Sequence, residues 1–216
     1  MDIRARREEE KQERHESIVD AAEQVFFDKG YERSTMDDIA RVAALSRGLL
    51  YVYFRDKAAI LDAVMLRAAE DLRQRFRDVA ASNSTGSDRI QAMGEAYYAF
   101  SIEKPDYFDL LTRAAGDWPT AEGEPTDNTL DICSGEIMGI MAETLEAGIT
   151  DGSMNAELIP SPMQTALYLR GALHGIIMLT RQPAVKELAD QQSADTLVSY
   201  ALGMIGRGLK RNESDV

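Results

Sequence analysis

The chain has 216 residues, of which 44% are hydrophobic and 28% are charged, which suffices for one large or two small domains with buried cores. Its apolar runs, such as residues 176–179, are far shorter than the roughly 20 residues of a membrane span, and the charged N-terminus lacks the apolar segment of a secretory signal. The net charge of −13 lies mostly in residues 58–216, so any contact with nucleic acid is expected from residues 1–57.

Apolar residues recur at helical spacing along nearly the whole chain, without a convincing strand or internal repeat. In the first helix the periodic run ends at Gly30, a residue type that commonly follows a helix. The predicted helices span residues 14–29, 36–43, 47–53, 57–80, 89–103, 105–115, 129–148, 163–180 and 194–210. Residues 116–128 form the least regular stretch and are expected to be a loop. The sequence therefore predicts an all-α fold with a three-helix head, residues 1–56, and a larger helical body, residues 57–216.

Three polar residues are placed to begin helices in the head. Thr35 is a good N-cap for the second helix, with Asp38 three residues later completing a capping box. Ser46 can cap the third helix and Asp56 the fourth. Two short helices joined by a few residues are typical of a helix-turn-helix, whose second helix lies in the major groove of DNA.

The third helix carries a glycine, an arginine and two tyrosines among leucines. Gly48 costs roughly 1 kcal/mol relative to alanine inside a helix, and a close approach to DNA explains it because glycine has no Cβ. Helical spacing places Leu45, Leu50 and Phe54 on one inward-facing stripe. The side chains that fall largely outside this stripe are Arg47, Tyr51 and Tyr53. Base or phosphate contacts are predicted for Thr35, Ser46, Arg47, Gly48, Leu49, Tyr51, Tyr53 and Lys57.

Two alternatives accompany this interpretation. The tyrosines can instead be core residues of a small helical head. The basic residues 4–7 can enter the minor groove as an arm, but three glutamates follow at once, which favours a frayed, solvated terminus.

Residues 30–61 resemble the DNA-binding segment of the TetR family of bacterial transcriptional regulators. The residues in register with the family pattern are Gly30, Thr35, Ile39, Ala40, Ala43, Ser46, Gly48, Tyr51, Tyr53, Phe54, Lys57 and Leu61. The chain departs from it where Ala44-Leu45 replaces the usual Gly-Val, and at Val52, where some members carry an aromatic residue.

The resemblance implies a homodimer that binds a palindromic operator in double-stranded DNA and is released by a small-molecule effector held in the body. In this family the last two helices of both subunits form a four-helix interface. The residues expected at that interface are Leu167, Arg170, Gly171, His174, Met178, Leu197, Tyr200 and Met204.

Aromatic and methionine side chains of the body suit an adaptable apolar pocket, although residues at this spacing are also typical of plain core. The expected lining is Tyr97, Phe100, Tyr107, Phe108, Trp118, Met138, Met141 and His174. Carboxylates near these aromatic residues in the sequence raise the hypothesis of a cationic effector. The candidates are Glu95, Asp106 and Asp109. A packed, hydrogen-bonded role is favoured for His174 over a ligand or pH-sensing role.

No metal site, cofactor or enzymatic activity is expected. Two histidines and one cysteine make a zinc site improbable, and no phosphate loop or nucleophile motif is present. The lone Cys133 excludes an internal disulfide, fits a cytoplasmic location and is interpreted as a reduced helix residue. The predicted function is a ligand-released repressor that does not associate with membranes. The alternatives are a ligand-independent regulator or activator of the same fold, or a helical protein-interaction module.

Overall fold

The computed structural model describes residues 3–113, 129–183, 185 and 194–210. Its helices are α1 (Ile3–Lys29), α2 (Met36–Val42), α3 (Arg47–Tyr53), α4 (Lys57–Ala80), α5 (Gly86–Glu103), α6 (Pro105–Arg113), α7 (Thr129–Thr150), α8 (Pro162–Thr180) and α9 (Ala194–Leu209). A 3₁₀ turn at Ala156–Leu158 precedes α8. Within the described ranges there is no strand beyond one isolated bridge between Met154 and Lys210, so the all-α prediction is confirmed.

The predicted helix bounds agree closely for α3 and α4 and fail at the start of α1. That helix begins at Ile3 and not near residue 14, so the basic residues 4–7 form a helical turn and not a frayed end. Helix α5 begins at Gly86, inside the predicted linker, because the hydroxyl of Thr85 caps it. The loop predicted at 116–128, with Trp118, lies outside the described residues.

The chain divides into two compact units, and the division falls within α4 between Ala68 and Ala69. The first unit contains residues 1–68 and 109–130, and the second contains the rest. The predicted domain boundary at residue 56 stays a prediction.

Each unit has its own apolar core. In the first, Ile18, Ala22, Ile39, Leu50, Ile60 and Val64 are fully buried. In the second, Met93, Phe100, Phe108, Leu145, Ile177 and Val198 are at most 1% exposed. Burial of this many large side chains, each contributing about 1.5–3 kcal/mol, is the main stabilising term in both units. None of the helices in the described residues is long and apolar enough to cross a membrane.

Candidate nucleic-acid interface

Helix α2 begins at a complete capping box, as predicted. The hydroxyl of Thr35 accepts a hydrogen bond from the Asp38 N–H at 3.2 Å, and Asp38 Oδ2 accepts one from the Thr35 N–H at 3.2 Å. Lys29 Nζ also donates to Asp38 Oδ1 at 2.6 Å. The hydrogen bonds from Lys29 first and Thr35 second lower the pKa of Asp38 to about 2. Thr35 is exposed at this helix N-terminus, where backbone N–H groups can meet an anion.

The turn between α2 and α3 places an alanine in a backbone conformation that favours glycine. Ala44 has a φ of 54°, in the left-handed region that costs an alanine roughly 1–2 kcal/mol. The turn closes through a hydrogen bond of 2.9 Å from the Leu45 N–H to the Ala40 carbonyl. The substitution of alanine for glycine therefore leaves the turn tight and places strain in it.

Helix α3 presents one face to the core and the other to solvent. Leu50 is fully buried and Phe54 is 6% exposed, which confirms the predicted inward stripe at these two positions. The Ser46 hydroxyl accepts from the Leu49 N–H at 3.2 Å and caps the helix. Arg47, Gly48, Tyr51 and Val52 are exposed, while Leu45, Leu49 and Tyr53 are half-buried.

Gly48 lies in open space on this outward face. A Cβ added to it would meet no atom outside its own helix within 4 Å. The protein's own packing therefore does not require a glycine, although the residue lowers the stability of the helix. The open space leaves the backbone at Gly48 accessible to a second molecule.

Arg47 is held on this face by its neighbours. Its Nε lies 3.3 Å from Asp37 Oδ1, and its Cζ lies 5.7 Å from the centroid of the Tyr51 ring. Both members of the ion pair are largely exposed, and such pairs contribute little to stability. A phosphate or a guanine edge can therefore replace Asp37 at low cost.

Lys57 is turned towards the protein, which sequence reasoning did not foresee. Its Nζ donates to the carbonyl oxygens of Tyr31 at 2.7 Å and Ser34 at 3.0 Å, and it lies 4.1 Å from the centroid of the Tyr31 ring. Burial lowers the pKa of this ammonium group. In this conformation Lys57 holds the connection before α2, and its predicted phosphate contact stays a prediction.

The sequence comparisons agree with this geometry. The pattern of the family described as "Bacterial regulatory proteins, tetR family" matches residues 18–64, which span the C-terminal part of α1, all of α2 and α3 and the start of α4. The HTH-type transcriptional regulator TtgR of Pseudomonas putida is 34% identical over 163 residues, 70% of this chain and 75% of the relative. The chain belongs to the TetR family. It is a DNA-binding transcriptional regulator, as the sequence predicts.

Two further comparisons extend the family likeness over the body. The probable HTH-type transcriptional regulator ArpR of Pseudomonas putida is 27% identical over 205 residues, 94% of this chain and 84% of the relative. A TetR/AcrR-family regulator from Thermobifida fusca YX-ER1 superposes with a TM-score of 0.66 at 21% identity, covering 92% of this chain and 100% of that one. The body therefore has the TetR fold as well.

Most of the predicted interface residues of this TetR-family body lie on an exposed surface of α8 and α9. Four apolar side chains remain substantially exposed: Leu167 at 53%, Met178 at 38%, Tyr200 at 63% and Met204 at 50%. Arg170 and Gly171 are also exposed, while His174 and Leu197 are half-buried. Tyr168, at 67%, and Leu179, at 40%, belong to the same two helices and were missed by sequence reasoning.

The predicted pocket residues gather into one aromatic cluster in the second unit. The ring centroids of Tyr97 and Phe108 are 5.4 Å apart, and those of Phe108 and His174 are 5.5 Å apart. Phe100, Met138 and Met141 are also buried, and Tyr107 is half-buried. Whether these residues line a pocket stays a prediction.

His174 is a packed, hydrogen-bonded residue, as predicted. Its Nδ1 shares a hydrogen bond of 3.1 Å with the Tyr97 hydroxyl. Burial, followed by the charges of Arg170 and Arg181, lowers the pKa of His174. Burial also raises the pKa of the Tyr97 hydroxyl to about 12.

Two arginines lie against the aromatic cluster. Arg181 Cζ is 4.8 Å from the centroid of Phe108, and Arg75 Cζ is 5.5 Å from that of Phe100. Glu95, by contrast, is exposed and hydrogen-bonded to Gln91. The arrangement gives no support to a cationic effector at this cluster.

A separate polar cavity of about 490 Å³ lies among the end of α4, the start of α5 and the middle of α7. It is lined by Arg77, Ala80, Arg89, Glu136, Gly139, Ile140, Glu143 and Thr144. None of these residues belongs to the predicted pocket set.

The lone thiol and the acidic residues offer little chemistry. Cys133 is buried, and burial raises the pKa of its thiol, which agrees with its interpretation as an inert helix residue. Among the residues that the structure describes, no group of three His, Cys, Asp or Glu side chains is arranged to hold a metal ion.

Proposed function

We propose that this chain is a homodimeric repressor that binds a palindromic operator and leaves it when a small, largely apolar effector binds in the body. The two heads of the dimer would enter successive major grooves about one helical turn, roughly 34–36 Å, apart. No catalytic role is proposed.

The outward face of α3 carries the proposal. Gly48 offers an unobstructed backbone, Tyr51 a rigid ring with a hydroxyl donor, and Arg47 an exposed guanidinium in a weak ion pair. This combination suits the edge of a DNA groove, where backbone approach, phosphate contacts and base contacts are all needed.

The apolar faces of α8 and α9 support the dimer. Exposed apolar patches of this kind on a protein without a membrane-spanning helix in its described residues mark protein–protein contacts. The absence of any Cβ contact at Gly171 and Gly175 leaves the backbone of α8 open to close packing by another helix. A second copy of the same surface gives an isologous, closed interface.

The effector is proposed to act through the aromatic cluster of Tyr97, Phe108 and His174. To move the protein from about 99% to about 1% competent for DNA, it must favour the released state roughly 10⁴-fold, about 5.5 kcal/mol. At about 25 cal/mol per Å², burial of a few hundred Å² of apolar ligand surface can supply this difference. A molecule of drug-like size therefore suffices.

Selection of DNA fragments from random and genomic pools by the purified protein tests the proposal. The expected result is enrichment of a palindromic site, followed by loss of binding when apolar compounds are added. Transcription in vitro from a promoter with that site should fall when the protein is present and recover with the effector. Enrichment without symmetry would contradict the dimer, and activated transcription would contradict the repressor.

A further inference from the structure

The cations of the helix-turn-helix are already engaged inside the head. Residues 1–57 contain 11 Lys and Arg against 13 Asp and Glu, so the head carries no general basic field for DNA. Each of the six cations between residues 29 and 57 has a carboxylate or carbonyl partner. The pairs are Lys29–Asp38, Arg33–Lys29 carbonyl, Arg41–Asp38, Arg47–Asp37, Arg55–Asp56 and Lys57 with the carbonyls of Tyr31 and Ser34.

The remaining five cations of this segment lie on the N-terminal extension of α1, residues 3–14. Its side chains from Arg4 to Arg14 are all exposed. At 1.5 Å per residue the extension is about 18 Å long, close to the length of five base pairs. Strong helix formers and the ion pairs Arg6–Glu10 and Lys11–Glu8 stabilise it locally.

Four of these cations fall on one side of the helix. Arg4, Arg7, Lys11 and Arg14 are spaced by three, four and three residues, which confines them to an arc of about 80° at about 100° per residue. We call these four residues the basic stripe. It continues the buried face of α1, because Ile18, Ala22 and Val25 follow on the same arc.

The opposite side of α1 is acidic and faces α4. Arg67 of α4 binds Glu16, Asp20 at 2.7 Å and Glu23 at 2.8 Å, and Glu9 and Glu13 continue that acidic ridge towards the N-terminus. The basic stripe therefore lies on the side of α1 opposite the residues that bind Arg67. His15, beside the stripe, contacts Phe54 at the end of α3 with ring centroids 4.7 Å apart. The stripe thus lies on the side of α1 that packs against the end of α3.

We propose that the basic stripe of α1 binds the phosphate backbone of DNA that flanks the operator half-site. This inference rests on the proposed function and adds a contact surface to it. The surface pairs of the extension are weak in water, and replacing them by phosphate releases counterions from the DNA. The stripe adds phosphate-binding charge to that of Arg47 on the helix-turn-helix, and it adds affinity without sequence specificity.

The chain offers a matched pair of variants as a test. Arg7 is on the stripe, whereas its neighbour Arg6 is on the far side of the same turn and pairs with Glu10 at 3.3 Å. Arg7→Gln and Arg6→Gln change the net charge equally. In full-length protein on the selected operator, Arg7→Gln should reduce the salt slope of log K by about 0.9 for each phosphate that the variant no longer binds, roughly 1.8 in a symmetric dimer. Affinity near 0.15 M salt should fall on the order of tenfold, and Arg6→Gln should change it little.

A second arm varies the DNA. Removing about five flanking base pairs from each end should weaken the wild-type protein and leave Arg7→Gln nearly unaffected. Equal effects of Arg6→Gln and Arg7→Gln, or indifference of the wild-type protein to the flanks, would overturn the inference while leaving the proposed function intact. A wild-type protein that selects no DNA would overturn both. Circular dichroism checks that the helix content of the two variants is the same.

Discussion

Two glycines, one in each unit, lie in opposite surroundings. Gly86 begins α5 where that helix crosses α7, and a Cβ there would overlap the backbone of Gly148 and lie 2.9 Å from the Thr144 carbonyl oxygen. Its N–H also donates to Asp151 Oδ2 at 2.7 Å. Gly48 on α3 has no such neighbour, since a Cβ would enter open space.

The contrast distinguishes a glycine that the packing of the fold explains, Gly86, from one that it does not explain, Gly48. Interiors are close-packed, so a missing side chain at Gly86 is explained by the atoms that occupy its place. At Gly48 nothing in the protein occupies that place, and the helix is less stable than it would be with alanine. The open backbone at Gly48, beside the exposed Arg47 and Tyr51, is therefore available for the approach of a second molecule.

Gly86→Ala should strongly destabilise the second unit, and this is the largest effect expected. The added methyl group forces α5 and α7 apart at their tightest crossing, which should lower the free energy of unfolding by about 3 kcal/mol or more. Chemical denaturation measures the change. Gly135→Ala on α7 is the control, because its Cβ meets nothing within 4 Å, and it should be neutral or stabilising. Equal stability of the two variants would contradict the tight crossing.

Leu167→Glu should break the proposed dimer without unfolding the chain. The side chain is 53% exposed on α8, so the charge is tolerated in a monomer but not in an apolar interface. Sedimentation should show monomers, and operator affinity should fall by about 100-fold or more because the two heads no longer bind together. Leu158→Glu, equally exposed at 53% outside α8 and α9, is the control. A dimeric Leu167→Glu protein would place the interface elsewhere.

Lys57→Ala and Tyr51→Phe compare a residue that stabilises the head with one that is proposed to contact DNA. Removing the ammonium group leaves the carbonyls of Tyr31 and Ser34 without their donor, so thermal unfolding should show a loss of about 1–2 kcal/mol. Tyr51→Phe, at an exposed position, should leave stability unchanged and weaken operator binding several-fold. Wild-type stability in Lys57→Ala would show that the bonds to the Tyr31 and Ser34 carbonyls do not stabilise the head.

Ala44→Gly is expected to have the smallest effect. The left-handed φ of 54° at Ala44 is strained for alanine and natural for glycine. The gain is offset partly by the greater freedom of glycine in the unfolded chain, so the variant should be stabilised by about 0.5–1 kcal/mol with unchanged operator affinity. Destabilisation in a thermal melt would show that the turn does not hold this strain.

The head could be interpreted from sequence almost residue by residue, because its signals are local. Ser46 and Thr35 are caps whose partners lie three residues away, and the alternation of Leu50 and Phe54 with exposed residues marks the faces of α3. The body could be predicted only as a set of helices. Its aromatic residues lie far apart in the sequence, and no local rule indicates that Tyr97 meets Phe108 and His174.

The failures also have physical causes. Residues 3–13 lack the apolar periodicity on which the helix prediction depended, yet local ion pairs and propensity are enough to extend α1 through them. The phosphate contact of Lys57 was predicted from its charge and stays a prediction; the bonds from its ammonium group to the carbonyls of Tyr31 and Ser34 were not foreseen, because they join residues far apart in the sequence. The arginines at the aromatic cluster come from other helices, so the neighbouring carboxylates in the sequence were a poor guide to its charge.

Gly48→Ala, measured for stability and operator affinity in the same preparation, tests the central claim most directly. Because the methyl group meets only solvent in the free protein and favours the helix, the free energy of unfolding should rise by up to about 1 kcal/mol. Because the same methyl group obstructs the approach of α3 to DNA, operator affinity should fall at least tenfold. A variant that is more stable and binds the operator as tightly as the wild-type protein would contradict the assignment of this face to DNA.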